Sequence, residues 1–208
     1  MKKIFVSIFA LIIFLAPVFC SAEEVIIFHT NDMHSRILKT DDDGRSIGFA
    51  EITGAVKAVK KKNPATFWFD AGDTLHGMSR INLSYGENMV SLLNSAAVDI
   101  FVPGNHDFNY GADKLEKLSA QMKFPVLSAN IVRKNNPAEK VFKSYKIFTT
   151  KSGIKIGVFG LTTPETAYKA SPSKVAAVEF LNPVETAKET ISELRPQCDI
   201  LVAVMHMG

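Results

Sequence analysis

Four short segments concentrate side chains that can hold metal ions. They are Asp32-Met33-His34, Asp70-Ala71-Gly72-Asp73, Gly104-Asn105-His106-Asp107 and a lone His206. Three of the five histidines lie among them, where random placement would scatter them. Each segment follows a β-rich run, and in α/β sheets ligand sites gather outside the carboxyl ends of the strands. Carboxylate and imidazole together suit a divalent transition metal such as Mn²⁺, Fe or Zn²⁺. No thiolate stands among them, which excludes a closed structural zinc site. An Asp-x-His loop can turn two side chains to one ion. Gly72 lets the backbone approach closely and aims Asp73, whose two oxygens can bridge two ions. Two ions about 3.5–4 Å apart form a clamp for phosphoryl transfer to water.

The elements that must carry these loops alternate strand and helix. Val25 to His29 reads as the first strand, Thr66 to Asp70 as the second, Ile100 to Pro103 as the third and Val126 to Ala129 as a short fourth. Apolar Phe49, Ile52, Ala55, Val56 and Val59 recur at helical spacing over Phe49 to Lys62, with a lysine-rich end that suits a helix C-terminus. Further helices are predicted over Glu87 to Ala97 and Ala112 to Met122. Asn182 and Pro183, cap and first position, open a last helix that runs to about Leu194. Tyr145 to Thr150 and Ile154 to Leu161 read as a hairpin turning at Lys151-Ser152-Gly153. Ile200 to Met205 reads as a fully apolar strand of the buried kind. Residues 132–144 are the most polar stretch and read as a surface excursion. The pattern implies an α/β layered domain with an inserted hairpin.

The 208 residues carry a formal charge of +3, too small for a basic nucleic-acid-binding surface, so no nucleic-acid polymer is expected as a partner. The first 22 residues hold Lys2 and Lys3 and no acid. Ile4 to Phe19 is almost wholly apolar, and Cys20-Ser21-Ala22 ends the segment before Glu23-Glu24. This is the pattern of a secretory leader, with cleavage expected after Ala22. Removing its two lysines from 24 basic residues leaves 22 against 21 acidic ones. The expected mature chain, residues 23–208, is a nearly neutral exported domain, periplasmic, secreted or cell-surface, which meets a membrane only in transit. A lipoprotein acylated at Cys20 is disfavoured by bulky Val18 and Phe19. Cys198 would remain as the one cysteine, read as a small buried residue.

Phe28 to His34, Asp70 to Thr74 and Gly104 to Phe108 resemble the successive blocks of the calcineurin-like metallophosphoesterases. Within these the chain resembles the N-terminal catalytic domain of the secreted bacterial 5′-nucleotidases, a family that includes 2′,3′-cyclic-nucleotide phosphodiesterases and UDP-sugar hydrolases. Ser128-Ala129-Asn130-Ile131, Phe159 to Glu165 and Val204 to Gly208 follow in the family's order. The resemblance implies a four-layer α/β/β/α sandwich, with two mixed sheets flanked by helices. It implies two divalent metal ions (Mn, Zn, Fe or similar) and a nucleotide or other small phosphoester substrate. Asp32 and His34 would hold the first metal, Asn105 and His206 the second, and Asp73 would bridge both. His106 would face the phosphate as acid or electrostatic stabiliser, and a metal-activated water would attack. Asp107 and Asn130 would support these groups from behind. Family members often carry Asp three residues after the catalytic histidine; here Asn109 stands there as the orienter. The family's further Gly-His-x-His loop is expected after the His206 strand and is not in the sequence, so the domain is expected to be incomplete at its C-terminus.

Two other readings compete with an active hydrolase: a weakly active or inactive fragment of such an enzyme, and an exported binding module on the same fold. Of the remaining histidines, His29 reads as a packed strand residue and His76 as an ordinary loop residue. Trp68, Phe67 and Phe69 read as strand core.

Overall fold

The computed structural model describes residues 22–39 and 47–207. The leader expected over residues 1–22 lies outside the described residues except for Ala22, and Gly208 lies outside them too. Among the described residues no helix is long and apolar enough to cross a membrane.

Strands β1 (Ile26–Thr30), β2 (Thr66–Asp70) and β3 (Ile100–Phe101) form a parallel sheet with β2 in the centre. Helices α1 (Phe49–Lys62), α2 (Ser79–Asn82), α3 (Glu87–Ala96) and α4 (Ala112–Ser119) fall between and after these strands. The second sheet has β7 (Lys155–Thr162) in the middle, antiparallel to β6 (Tyr145–Thr149) and parallel to β9 (Ile200–His206). Helix α5 (Thr166–Lys169) follows β7, and α6 (Pro183–Leu194) leads to β9. A small antiparallel sheet joins β4 (Ile131–Arg133) to β5 (Asn136–Lys140) and β8 (Val178–Phe180).

Side-chain alternation along the strands stacks these pieces into four layers. Trp68 of β2 points to the core under α1, α3 and α4, with Val56, Leu93 and Leu115. Phe67 and Phe69, its neighbours, point the other way and meet Ile156, Val158 and Val204 of the second sheet. Phe148 packs between them, with ring centroids 5.0 Å from Phe67 and 6.3 Å from Phe69. Phe159 and Leu161, on the opposite face of β7, pack on Leu194 of α6. β2 and β7 are thus covered on both faces, and burying each such aromatic or aliphatic side chain stabilises the fold by about 1.5–3 kcal/mol. Asn182 caps α6 as the sequence predicts, its side chain accepting from the amides of Val184 (2.9 Å) and Glu185 (3.2 Å).

Several local expectations are corrected. The surface excursion over residues 132–144 takes in the end of β4 and all of β5, a bulged hairpin whose second strand is wholly exposed. Val126 to Ala129 forms isolated bridges (Phe101 with Val126, Leu127 with Lys143) rather than a strand. Helix α4 stops at Ser119, short of Met122. β9 is not fully buried: it lies at the edge of its sheet, and Ile200 and Met205 are exposed. His29 is exposed on edge strand β1, on the groove it shares with β9, rather than packed. Cys198 is half-buried against α6, its Sγ 3.4 Å from the Leu194 carbonyl.

Candidate metal centre

The carboxyl ends of β1, β2, β3 and β9 converge. Backbone bonds join the first two loops: the Asp32 amide donates to the Gly72 carbonyl (2.9 Å) and the His34 amide to the Asp73 carbonyl (2.8 Å). Asp32, His34 and Asp73 all sit in the left-handed region, with φ of 53°, 44° and 55°. Such a conformation costs a non-glycine residue about 1–3 kcal/mol and persists only where its surroundings over-determine it, most often at functional sites.

Gly72 and Gly104 meet the one constraint that needs glycine twice. Gly72 has φ of 91°, and a Cβ on it would stand 2.2 Å from the Gly104 nitrogen. A Cβ on Gly104 would stand 2.3 Å from Asp73 Oδ1 and 2.7 Å from His206 Cε1. The β2 and β3 loops therefore touch backbone to backbone, and that contact puts Asp73 under His206.

Asp107 locks the two loops together. Its buried carboxylate accepts from the amides of Asp73 (2.8 Å), Thr74 (3.0 Å), Leu75 (2.8 Å) and Gly104 (2.8 Å). Burial, and then the nearby Asp73 charge, push its carboxyl up to about 6, while the amides pull it down. Asp70 is a second buried clamp. Its carboxylate accepts from the Gly72 amide (2.9 Å), Thr74 Oγ1 (2.9 Å) and Thr30 Oγ1 (3.1 Å), and burial pushes it up to about 7.

Asp32, His34, Asp73, Asn105, His106 and His206 line one cavity of about 330 Å³, and Lys169 of α5 borders it. His206 Nε2 lies 3.4 Å from Asp73 Oδ2; His34 Nε2 lies 4.0 Å from the same oxygen and 3.8 Å from Asp32 Oδ1. Donor atoms of Asp32, Asp73 and His206 all lie within 4.8 Å of one another.

The tautomers decide what this cluster suits. His206 Nδ1 donates to the Ala71 carbonyl (2.8 Å), and His34 Nδ1 faces the His76 carbonyl (3.4 Å). Each neutral ring therefore turns an Nε2 lone pair toward carboxylate oxygens. Lone pair against lone pair is unfavourable unless a cation lies between. Two atoms each about 2.1 Å from one ion stand roughly 3–3.5 Å apart, so the His206–Asp73 spacing fits a shared divalent ion. A proton is the lesser substitute. Burial opposes charge on His206, but the Asp73 carboxylate overrides it and raises the ring to about 9. Asp73, despite its own burial, is held below the usual carboxylate range by His206.

The other predicted groups do not line the cavity. Asn109 stands behind it, and its Nδ2 bridges His106 Nδ1 (2.9 Å) and His76 Nδ1 (3.1 Å). Asn130 lies under the end of β7, where its amide donates to the Thr162 carbonyl (2.7 Å) and accepts from the Thr162 nitrogen (2.9 Å). Asp70, His76 and Lys169 are additions to the sequence reading. For Asp70 the available signal was an acid ending an otherwise apolar strand, and for His76 its place just after the Asp73 loop; Lys169 carried none, since only the fold brings it near the loops.

The calcineurin-like phosphoesterase family model matches residues 26–208. Among curated relatives, the 5′-nucleotidase of Vibrio vulnificus is 33% identical over 189 residues, which cover 89% of this chain and 34% of the relative. Protein UshA of Escherichia coli is 31% identical over the same shares. Among solved structures, the NAD nucleotidase of Haemophilus influenzae superposes with a TM-score of 0.77 at 30% identity, covering 88% of this chain and 34% of that one. A 5′-nucleotidase precursor from Thermus thermophilus gives 0.76 at 26%, covering 88% and 37%. The chain spans about a third of the length of the curated relatives it matches.

Proposed function

This chain belongs to the calcineurin-like phosphoesterases, a family of hydrolases, and we propose that it hydrolyses nucleotide phosphoesters at a dinuclear metal site. In this reading Asp32 and His34 hold one cation, Asn105 and His206 the other, and Asp73 both. The observation that carries it is the pair of imidazole Nε2 atoms, on His34 and His206, turned toward one oxygen of the Asp73 carboxylate. When bound, divalent ions supply Lewis acidity to a phosphoryl oxygen and lower the pKa of water at the site.

The protein's own residues do the rest. Asn109 donates to His106 Nδ1, so the neutral His106 ring carries its proton on Nε2. From there it can donate to a phosphoryl oxygen or to the leaving group. Asp107 and Asp70 keep the Asp73 loop rigid, so the cavity is organised before substrate arrives. The Vibrio relative, named as a 5′-nucleotidase, supports a 5′-nucleotide as the substrate. We also propose that residues 1–22 are a removable export leader, so that the mature domain, residues 23–208, works outside the cytoplasm; a mature N-terminus at Glu23 is the expected sequencing result.

Phosphate release from a 5′-nucleoside monophosphate, with Mn²⁺ added to the full chain, tests the substrate. The expected result is metal-dependent turnover abolished by His106→Ala. Turnover of a cyclic nucleotide or a UDP-sugar in preference to the monophosphate would contradict the nucleotidase reading.

A further inference from the structure

Among the described residues bordering the cavity, Lys169 is the one ammonium or guanidinium side chain, and the other ionisable groups there are carboxylates and imidazoles. It arrives there by a fixed route. β7 ends at Thr162, whose Oγ1 donates to the Pro103 carbonyl (2.8 Å) and lies 3.0 Å from Ser128 Oγ, while Asn130 grips its amide and carbonyl. Thr166, fully buried, then donates from Oγ1 to the Thr163 carbonyl (2.7 Å) and starts α5. Lys169 is the last residue of that turn, followed by buried Ala170. The backbone under the lysine is therefore anchored at both ends, although its side chain is 39% exposed.

Its Nζ pairs with Glu165 Oε2 at 2.8 Å, one helical turn back. A pair this exposed is weak and exchangeable, so Glu165 restrains the ammonium without using it up. A phosphate monoester is a dianion at neutral pH and must enter beside Asp32 and Asp73, which repel it. An ammonium on the cavity wall, outside the ligand cluster, offsets that repulsion and can donate to a phosphoryl oxygen.

We propose that Lys169 binds the phosphoryl group of the substrate, with Glu165 holding it ready, and so biases the site toward monoester dianions over diester monoanions. This rests on the phosphoesterase reading above. Three proteins test it as full chains with Mn²⁺: wild type, Lys169→Met and Lys169→Arg. The measurements are kcat/KM on p-nitrophenyl phosphate and on bis(p-nitrophenyl) phosphate, and inorganic phosphate affinity by calorimetry. Loss of one charge-assisted hydrogen bond should weaken phosphate binding about 10-fold or more in Lys169→Met. Its loss on the monoester should exceed its loss on the diester by about tenfold, with Lys169→Arg recovering most of both. Wild-type turnover with Lys169→Met binding phosphate as wild type does, or losing equally on both esters, overturns the lysine assignment alone. A wild-type chain that turns over neither ester and binds no phosphate overturns the phosphoesterase reading and the lysine assignment with it.

Discussion

Asn109 Nδ2 lies 2.9 Å from His106 Nδ1, and the same nitrogen lies 3.1 Å from His76 Nδ1. One amide thus orients two nearly parallel imidazoles whose centroids are 6.1 Å apart. The amide fixes the His106 ring by donating to its Nδ1, which leaves Nε2 to face the cavity. Asn109→Ala is therefore expected to lower kcat about tenfold with little change in KM. An unchanged kcat in Asn109→Ala would mean that the orientation of His106 takes no part in the rate-limiting step.

Asp107 satisfies four amides from two loops, and none of these donors has another acceptor within the clamp. Asp107→Ala leaves them buried and unpaired. Unfolding should become easier by about 3 kcal/mol or more, and Mn²⁺ affinity should fall with it. Denaturant titration of the metal-free chain reads the first and calorimetry the second.

Asp70 gives the metal-free protein a pH dependence of defined sign. Its folded carboxyl is raised from 3.8 to about 7, so between these values the native state keeps a proton that the unfolded chain has released. The stabilisation is whole below pH 3.8 and is lost as pH rises through 7, with an upper limit of about 4 kcal/mol. Asp107, raised to about 6, and His206, raised to about 9, act in the same direction. Thermal unfolding without metal should therefore occur at lower temperature as pH climbs from 5 to 9. Asp70→Asn, a neutral side chain able to keep the Gly72 bond, should flatten that slope.

Much of this frame is legible in the sequence because it depends on short-range order. Helix α1 and strand β2 follow from apolar periodicity and end where Asn63-Pro64 and Ala71-Gly72 break it. Helix α6 is bounded by its own cap and proline. The candidate ligands are legible for a related reason: they occupy the few residues after each strand, and the topology gathers strand ends. What stayed hidden depends on partners remote in the chain. β9 reads as buried because its residues are apolar, but its place at a sheet edge leaves Ile200 and Met205 exposed. β5 reads only as part of a polar surface excursion because its Asn-Pro-Ala-Glu-Lys sequence has no apolar face, and pairing with β4 alone makes it a strand. Asp70 reads as a strand end, and its role appears only when Thr30 and Thr74 close around it.

Gly104→Ala should weaken metal binding and lower stability together. The added methyl group meets Asp73 Oδ1, the Asp73 backbone nitrogen and His206 Cε1, so the Asp73 loop must shift. The expected outcome is a chain with near-native far-ultraviolet circular dichroism whose Mn²⁺ affinity has fallen by about 100-fold, the order seen when groups supporting metal ligands are displaced. Unchanged affinity would mean that Asp73 and His206 do not act on a common ion.

The most direct measurement is the metal content of the full chain, by calorimetric titration with Mn²⁺ and elemental analysis, for the wild type and Asp73→Ala. A carboxylate shared by two ions predicts two Mn²⁺ per chain in the wild type and the loss of both on this one substitution. One ion, or two of which only one depends on Asp73, would contradict the bridged centre.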